Sequence, residues 1–423
     1  MANKLYDETA IQAIADSIRA KNGSSDTYTV SQMSAAIDNI PSGGTTEIYK
    51  KTWLTGHTYT LTSDGTLTIT SSSDTFMGKP DTMRRIIYCV KKVDATDPHI
   101  LGTAQDEGFM YFVDGDKPSD SLNIEFEFSS SFYYIRNNAF RNAPITSFTI
   151  PSTVRYIDAN AFNGSKITSI IIPASVERLG DSIFENCTAL TTAEISQSSN
   201  TYSISVSCFR DCTSLTSVTI ANESTSILAN AFNGCTALTS VTLPSTVTSI
   251  SSSAFRQCTS LQTIDISNVT NIDDYAFTDC TALTSVDISS IEDVGYETFY
   301  GCNNLVETVG TPGVFTIPDT LTTTHGDFLC LRNGQTPNLT TVVVGTGLTT
   351  TTDWMFGRQT ALQSVTFNGV MTSIHSNTFI NCTQSGLTIY FPNMTEAEVQ
   401  ALSGYSSKWG ATNATIVCSD TTT

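Results

Sequence analysis

Residues 227–247 read Ile227-Leu-Ala-Asn-Ala-Phe-Asn-Gly-Cys-Thr-Ala-Leu-Thr-Ser-Val-Thr-Leu-Pro-Ser-Thr-Val247. An Ala-Phe pair comes first, a Cys follows three residues later, and Leu238-x-x-Val241-x-Leu243 closes with the period-two alternation of a strand. Moving outward from Phe232, the same phrase recurs. Phe140, Phe162, Phe184, Phe209, Phe232, Phe255, Phe277 and Phe299 follow one another at spacings of 22, 22, 25, 23, 23, 22 and 22 residues. Phe328, Phe356 and Phe379 continue the series at 29, 28 and 23. A unit of this size cannot bury its own apolar face, so self-similarity at this period predicts stacked coils of a solenoid. Eleven coils at the strand spacing of about 4.8 Å would extend about 50 Å.

Every unit has the same mechanical content. Leu261-x-x-Ile264-x-Ile266 and Leu283-x-x-Val286-x-Ile288 repeat the apolar spacing and are expected to point inward. The intervening Ser240, Thr242, Thr263, Asp265, Ser285 and Asp287 point outward along the strand. Pro151, Pro173 and Pro244 follow strands, where no ladder donor is needed. The Ala-Phe pair belongs on the opposite wall, with each ring filling the interior. The phrase AFNGCTALTSVTLPSTVTSI resembles the BspA-like class of leucine-rich repeats over residues 131–392. That resemblance implies a mainly β leucine-rich-repeat solenoid and a role in surface contact or adhesion. The units at Phe328 and Phe356 depart from the pattern and suggest insertions.

The flanks read differently. In residues 1–44, Ile11, Ile14 and Ile18 lie on one face of an amphipathic helix, and a second short helix is expected from Ser31 to Ile40. Neither buries its face alone, so both must dock on something. The string IQAIADSIRAKNGSSDTYTVSQMSAAIDNIP resembles an N-terminal module of tail proteins from phages of Gram-positive bacteria. That resemblance implies anchoring to other virion proteins through Ile11, Ile14 and Ile18. Residues 45–130 read as a small β-domain or an N-terminal cap. Thr58–Thr62 and Thr66–Thr70 around Asp64-Gly65 form a hairpin signal, and Arg85–Val90, Phe109–Val113 and Leu122–Phe128 are further strand-length runs. Residues 393–423 are expected to cap the solenoid with a short helix behind Thr395 and a strand at Thr415–Cys418.

Composition narrows the function. The chain has 423 residues, 21 Lys+Arg against 40 Asp+Glu, and a net charge of −19. Only 14% of residues are charged, against about 25% in ordinary domains, while 118 are Ser or Thr. An acidic chain without a basic block is a poor nucleic-acid partner. No apolar run reaches membrane-span length, so membrane insertion is not expected. Cys187, Cys212, Cys235, Cys258, Cys280, Cys302 and Cys382 each follow a repeat Phe by three and form one structural column of reduced thiols. Their spacing does not suit zinc. Asp114, Asp116, Asp120 and Glu125 imitate a calcium loop, but Pro118 and Ser119 stand where the turn needs other residues. His57, His99, His325 and His375 are scattered. Neither a catalytic centre nor a cofactor is expected.

If the solenoid binds, its exposed positions carry the contact. The strand face offers Glu194, Thr219, Thr242, Asp265, Asp287 and Thr366, while Tyr296 and Tyr300 beside Phe299, with Tyr133 and Tyr134, are the aromatic anchors. The competing explanation of the hydroxyls is solubility, since Ser and Thr keep a stacked sheet wet. The expected protein is a homo-oligomeric phage structural component of a tail fibre, tip or baseplate. It would be made in the host cytoplasm without a Sec signal peptide, be carried in the virion, and contact a host glycan or protein. The alternative is a bacterial cell-surface or secreted adhesin built on the same repeats.

Overall fold

One coil shows how the repeat works in the computed structural model. A two-residue strand, Ser226–Ile227, leads into a tight turn centred on Ala231-Phe232, and a second strand, Ser240–Thr242, follows before the Pro244 turn. Ile227, Ala231, Phe232, Cys235 and Leu238 are fully buried, while Ser240 and Thr242 are exposed. The coil therefore has two strand rows and a turn wall. The second row rests on Ser-Ile pairs too short to show alternation in sequence.

The structure describes residues 15–16, 19, 47–52, 57–62, 66–71, 92–95, 124–128, 133–196, 203–220 and 223–421, apart from 309, 311–312, 332–337 and 383–385. The chain divides into two compact units, Met1–Ser199 and Asn200–Thr423. Ile11, Ile14 and Ile18, the second helix, Arg85–Val90, Phe109–Val113 and the Asp114–Asp120 loop lie outside the described residues. Ala15, Asp16 and Arg19 are helical, and Arg19 pairs with Asp16.

In the first unit, β1 (Glu47–Thr52), β2 (His57–Thr62) and β3 (Thr66–Ser71) form an antiparallel meander, with the expected hairpin between β2 and β3. β4 (Lys92–Ala95) and β5 (Glu125–Phe128) then add in parallel. The Phe126 ring lies 5.6 Å from that of Phe140 and 5.3 Å from that of Phe148, so β5 seats the meander on the first coil. β6 (Tyr134–Ile135), β7 (Tyr156–Ile157) and β9 (Arg178–Leu179) form one parallel row, and β8 (Ser169–Ile172) pairs with β10 (Thr192–Ile195) in the other.

In the second unit, β11 (Ser217–Ile220) pairs in parallel with β13 (Ser240–Thr242). The short row is β12 (Ser226–Ile227), β14 (Ser249–Ile250), β16 (Asn271–Ile272) and β18 (Asp293–Val294). β15 (Thr263–Ile264), β17 (Ser285–Val286) and β19 (Glu307–Thr308) form a second long-row sheet. A final parallel sheet holds β20 (Phe315–Ile317), β21 (Thr341–Val344), β22 (Ser364–Phe367), β23 (Thr388–Phe391) and β24 (Thr415–Cys418). The short helix and strand expected near the C-terminal end are present: Thr395 and Glu398 make a capping box at α1 (Glu396–Gln400), and β24 spans Thr415–Cys418.

The turn wall is hydrogen-bonded as fully as the strands. Asn230, Phe232 and Gly234 donate their N–H groups to the carbonyls of Ser252, Ala254 and Arg256 in the next coil at 3.0, 2.8 and 2.9 Å. To aim alternate N–H groups along one direction, the chain adopts positive φ two residues before and two after the ring. Asn230 (57°) and Gly234 (77°) do so here, as Asn160 (57°) and Gly164 (69°) do in the first unit. Asn and Gly tolerate that conformation best, which explains the Asn-Ala-Phe-Asn-Gly phrase.

One alignment is corrected. Phe328 does not occupy the ring column. In regular coils the Phe N–H bonds the residue before the next Phe, as Phe277 does to Thr298 at 3.0 Å, but Phe299 bonds the Phe328 carbonyl itself at 3.2 Å. Leu329 then donates to Met355, and Asp327, two residues before Leu329, takes the positive φ of 61°. Leu329 is the column residue. The ladder fixes the register, and the insertion before β20 slips it by one residue.

Candidate binding surface

The expected strand-face residues sit in four distinct settings. In the first unit, Glu194 is exposed opposite Ile171, itself 60% exposed, and accepts from the Ser196 Oγ at 2.8 Å. In the second, Thr219 and Thr242 are exposed in-register neighbours. Thr366 lies between Val343 and Tyr390 in one outward column, and Tyr390 is 37% exposed. Asp265 and Asp287 follow the paired residues Ile264 and Val286, but each carboxylate is turned onto its own chain. Asp265 Oδ1 accepts from Ser267 N at 3.1 Å and Oγ at 2.8 Å, and Asp287 Oδ1 accepts the same pair from Ser289 at 3.0 and 2.7 Å. These donors lower the Asp265 pKa. The groove beside Asp265, lined by Pro244, Val247 and Asn268, measures about 80 Å³. A ligand pocket usually needs about 300 Å³ or more.

The tyrosines lie elsewhere. Tyr296 and Tyr300 flank Phe299 on the turn wall; Tyr300 is half-buried and Tyr296 is 36% exposed. The Tyr296 hydroxyl donates to Asp327 Oδ2 at 2.9 Å, and this bond, with burial and the negative charge nearby, pushes its pKa well above the usual value. Its ring spreads over Gly326, where a Cβ would stand 3.0 Å from the Tyr296 Cε2. Tyr275 meets Tyr296 edge-to-face at 5.6 Å. In the first unit, Tyr134, Tyr156 and Arg178 form an in-register outward column on the short row. Tyr134 stacks on Tyr156 at 4.8 Å under the Arg136 guanidinium, and Asp158 bridges Arg136 and Arg178 at 3.7 and 2.8 Å. Tyr133 is 47% exposed beside them. Because the second strand row was not legible, this column was not foreseen as a unit.

The interior thiols have a specific task. Cys235, Cys258, Cys280 and Cys302 donate through Sγ to the carbonyls of Phe209, Phe232, Phe255 and Phe277 in the preceding coil at 3.0–3.2 Å. Cys187 does the same to Phe162 at 3.1 Å, and Cys382 to Phe356 at 3.0 Å. Burial raises the Cys187 and Cys382 pKa values to about 12, so these groups remain protonated donors at neutral pH. Where a coil lacks the thiol, Gln359 Nε2 reaches the Leu329 carbonyl at 2.5 Å. Among the described residues, no His, Cys, Asp and Glu cluster is arranged to hold a metal, and no helix is long and apolar enough to cross a membrane.

Comparison with known proteins agrees with this architecture. The family model for the BspA type leucine rich repeat region matches in six copies over residues 119–203, 202–325 and 315–408. A leucine-rich repeat protein from Bacteroides ovatus ATCC 8483 is 15% identical, with a TM-score of 0.52 over 89% of this chain and 99% of that one. The pneumococcal vaccine antigen PcpA is 16% identical, with a TM-score of 0.45 over 88% of this chain and 99% of its own. A leucine-rich repeat protein from Eubacterium ventriosum ATCC 27560 is 18% identical, with a TM-score of 0.42 over 78% and 93%. No curated protein matches the chain.

Proposed function

This chain belongs to the BspA-type leucine-rich repeat family, and from that premise we propose that it is a non-enzymatic recognition protein of a phage tail. The N-terminal segment carrying Ile11, Ile14 and Ile18 attaches it to other virion proteins as a homo-oligomer. The coils face outward and contact a glycan or protein of the host surface. One observation carries the recognition part: inward positions repeat the same Phe, thiol and aliphatic groups, whereas in-register outward positions change from coil to coil. Glu194 meets Ile171, Tyr156 meets Arg178 and Thr366 meets Tyr390. Repetition inside with variation outside is what a scaffold presenting a binding surface requires. The resemblance of residues 11–41 to phage tail modules supports the carrier.

Mass spectrometry of purified virions tests the carrier, and retention of the labelled full chain by host against non-host cells tests recognition. Detection in particles together with selective retention is expected. Absence from particles, with the protein found on a bacterial surface, would replace this reading with the adhesin. Equal retention by both cell types would refute recognition.

A further inference from the structure

Two residues before the column ring, most coils place a small polar residue at positive φ: Asn160 (57°) and Ser182 (56°), then Ser207 (55°), Asn230 (57°) and Ser253 (58°). The next coils depart from that choice. Tyr275 (61°), Glu297 (51°) and Trp354 (54°) stand at the same position, while Asp327 (61°) between them keeps a short polar side chain that suits it. A bulky side chain there strains the backbone, and such strain persists where something else holds it. Trp409 is also left-handed at 54°, but it is wholly buried against Phe391 and Tyr405, so packing accounts for it. Tyr275 and Trp354 are only half-buried.

These residues stand on successive coils, and the first of them are in contact. Tyr275 touches Tyr296, whose ring crosses Gly326 and whose hydroxyl binds Asp327. Asp327 N donates to the Asp353 carbonyl at 3.0 Å, and Trp354 follows with the Arg358 guanidinium 4.6 Å from its ring centre. Three aromatic rings, the carboxylates of Asp327 and Asp353, the latter 3.3 Å from His375 Nδ1, and a guanidinium that also donates to the Leu331 carbonyl thus gather on four successive coils.

We propose that this strip binds a neutral polysaccharide, one pyranose to a coil; the proposal rests on the reading of the coils as a host-contact surface and names a site and ligand class for it. Tyr and Trp rings cover the C–H faces of sugars, while carboxylates accept from and a guanidinium donates to their hydroxyls. Coils stacked about 4.8 Å apart approximate the length of one unit of an extended glycan. Asp327 and Asp353, on a chain of net charge −19, disfavour an acidic polymer.

The test is affinity electrophoresis of the full chain through native gels containing mannan, galactan or mixed-linkage glucan, with hyaluronate as the acidic control. Retardation by at least one neutral polymer and none by hyaluronate is expected. Trp354→Asn should weaken that retardation at least tenfold while its thermal midpoint stays level or rises, because Asn suits the backbone there. A merely structural tryptophan would instead lower the midpoint and leave retardation intact. Tyr296→Ala, a second variant, should also weaken retardation about tenfold. Passage unretarded through every neutral gel overturns the proposal, as does retardation surviving both substitutions. Retardation lost in Thr242→Lys but kept in Trp354→Asn would move binding to the strand face, refuting this site while leaving host recognition in place.

Discussion

The coils carrying Phe232, Phe255, Phe277 and Phe299 and those following Phe299 solve one problem in two ways. In the first group successive rings stack at 5.2–5.5 Å, with interplanar angles of 6–12°, and thiols from Cys258, Cys280 and Cys302 bond the ring residues' carbonyls. Beyond Phe299 the column holds Leu329, and Phe328 turns edge-on to Phe299 at 72° and packs near Phe315. The amide of Gln359 takes over from a thiol. The extra residues leave through Glu307–Phe315, where Thr308 N bonds the Val314 carbonyl and closes the excursion at 3.1 Å. A coil therefore needs an apolar filler, a donor to the carbonyl and an unbroken ladder; the side chains that supply them are exchangeable.

The sharpest way to break this contrast is to empty the regular stack. Phe255 is fully buried between two parallel rings, so Phe255→Ala should cost about 3–5 kcal/mol in denaturant unfolding of the full chain. A loss below about 1 kcal/mol would mean that the stack collapses freely and that ring packing does not distinguish the regions. A second contrast uses glycine. A Cβ on Gly234 (φ 77°) would lie 2.3 Å from Asp211 Oδ1, whereas one on Gly310 (φ 87°) meets nothing within 4 Å. Gly234→Ala should cost about 2–3 kcal/mol and Gly310→Ala about 1, the strain alone. Equal losses in thermal unfolding would show that the excursion is as tightly built as the turn wall.

The period was legible because stacking repeats side-chain chemistry: Phe, Cys and the Leu-x-x-Val-x-Leu spacing return wherever one interior continues. The slip at Leu329 was not legible, because identity pointed to Phe328 while the backbone ladder set the register. The short strand row was missed since two residues such as Ser249-Ile250 carry no period. Its left-handed partners did leave a signal in some coils, the Asn and Gly two residues either side of Phe162 and Phe232. Of the expected site residues, Thr219 and Thr242 do share a face. The turns of Asp265 and Asp287 were readable from Asp-Ile-Ser, where a Ser two residues on supplies both donors. The Tyr296–Asp327 bond crosses an insertion and had no local trace.

Alkaline pH separates thiol from amide. Burial raises the pKa of Cys382 to about 12 from its ordinary 9.0. A raised pKa favours the protonated folded state, so its contribution is complete below pH 9, falls as unfolded thiols ionise, and is lost by about pH 12. Between pH 8 and 10 the stability of Cys382→Ser should gain about 1 kcal/mol relative to the native chain, since serine donates to the Phe356 carbonyl without titrating. Cys258→Ser should move in the same direction, because burial also raises that thiol. Gln359→Asn offers no such alkaline gain, because neither amide titrates. Parallel pH profiles for Cys382→Ser and the native chain would contradict the thiol assignment.

The smallest expected effect asks whether the later coils retain strain for a reason. Asn230 suits its left-handed backbone and also accepts from the Asn233 amide at 2.8 Å, so Asn230→Ala should lose about 1 kcal/mol. Glu297 holds the equivalent place at φ 51° without the short side chain that eases it. If nothing else acted there, Glu297→Asn would raise the unfolding free energy by about 0.5–1 kcal/mol. That gain, with retardation by a neutral polysaccharide unchanged, would leave Glu297 as strain unconnected with the aromatic strip. A gain accompanied by weakened retardation would join Glu297 to Tyr296 and Trp354 as a position where the coil gives up stability to present a side chain.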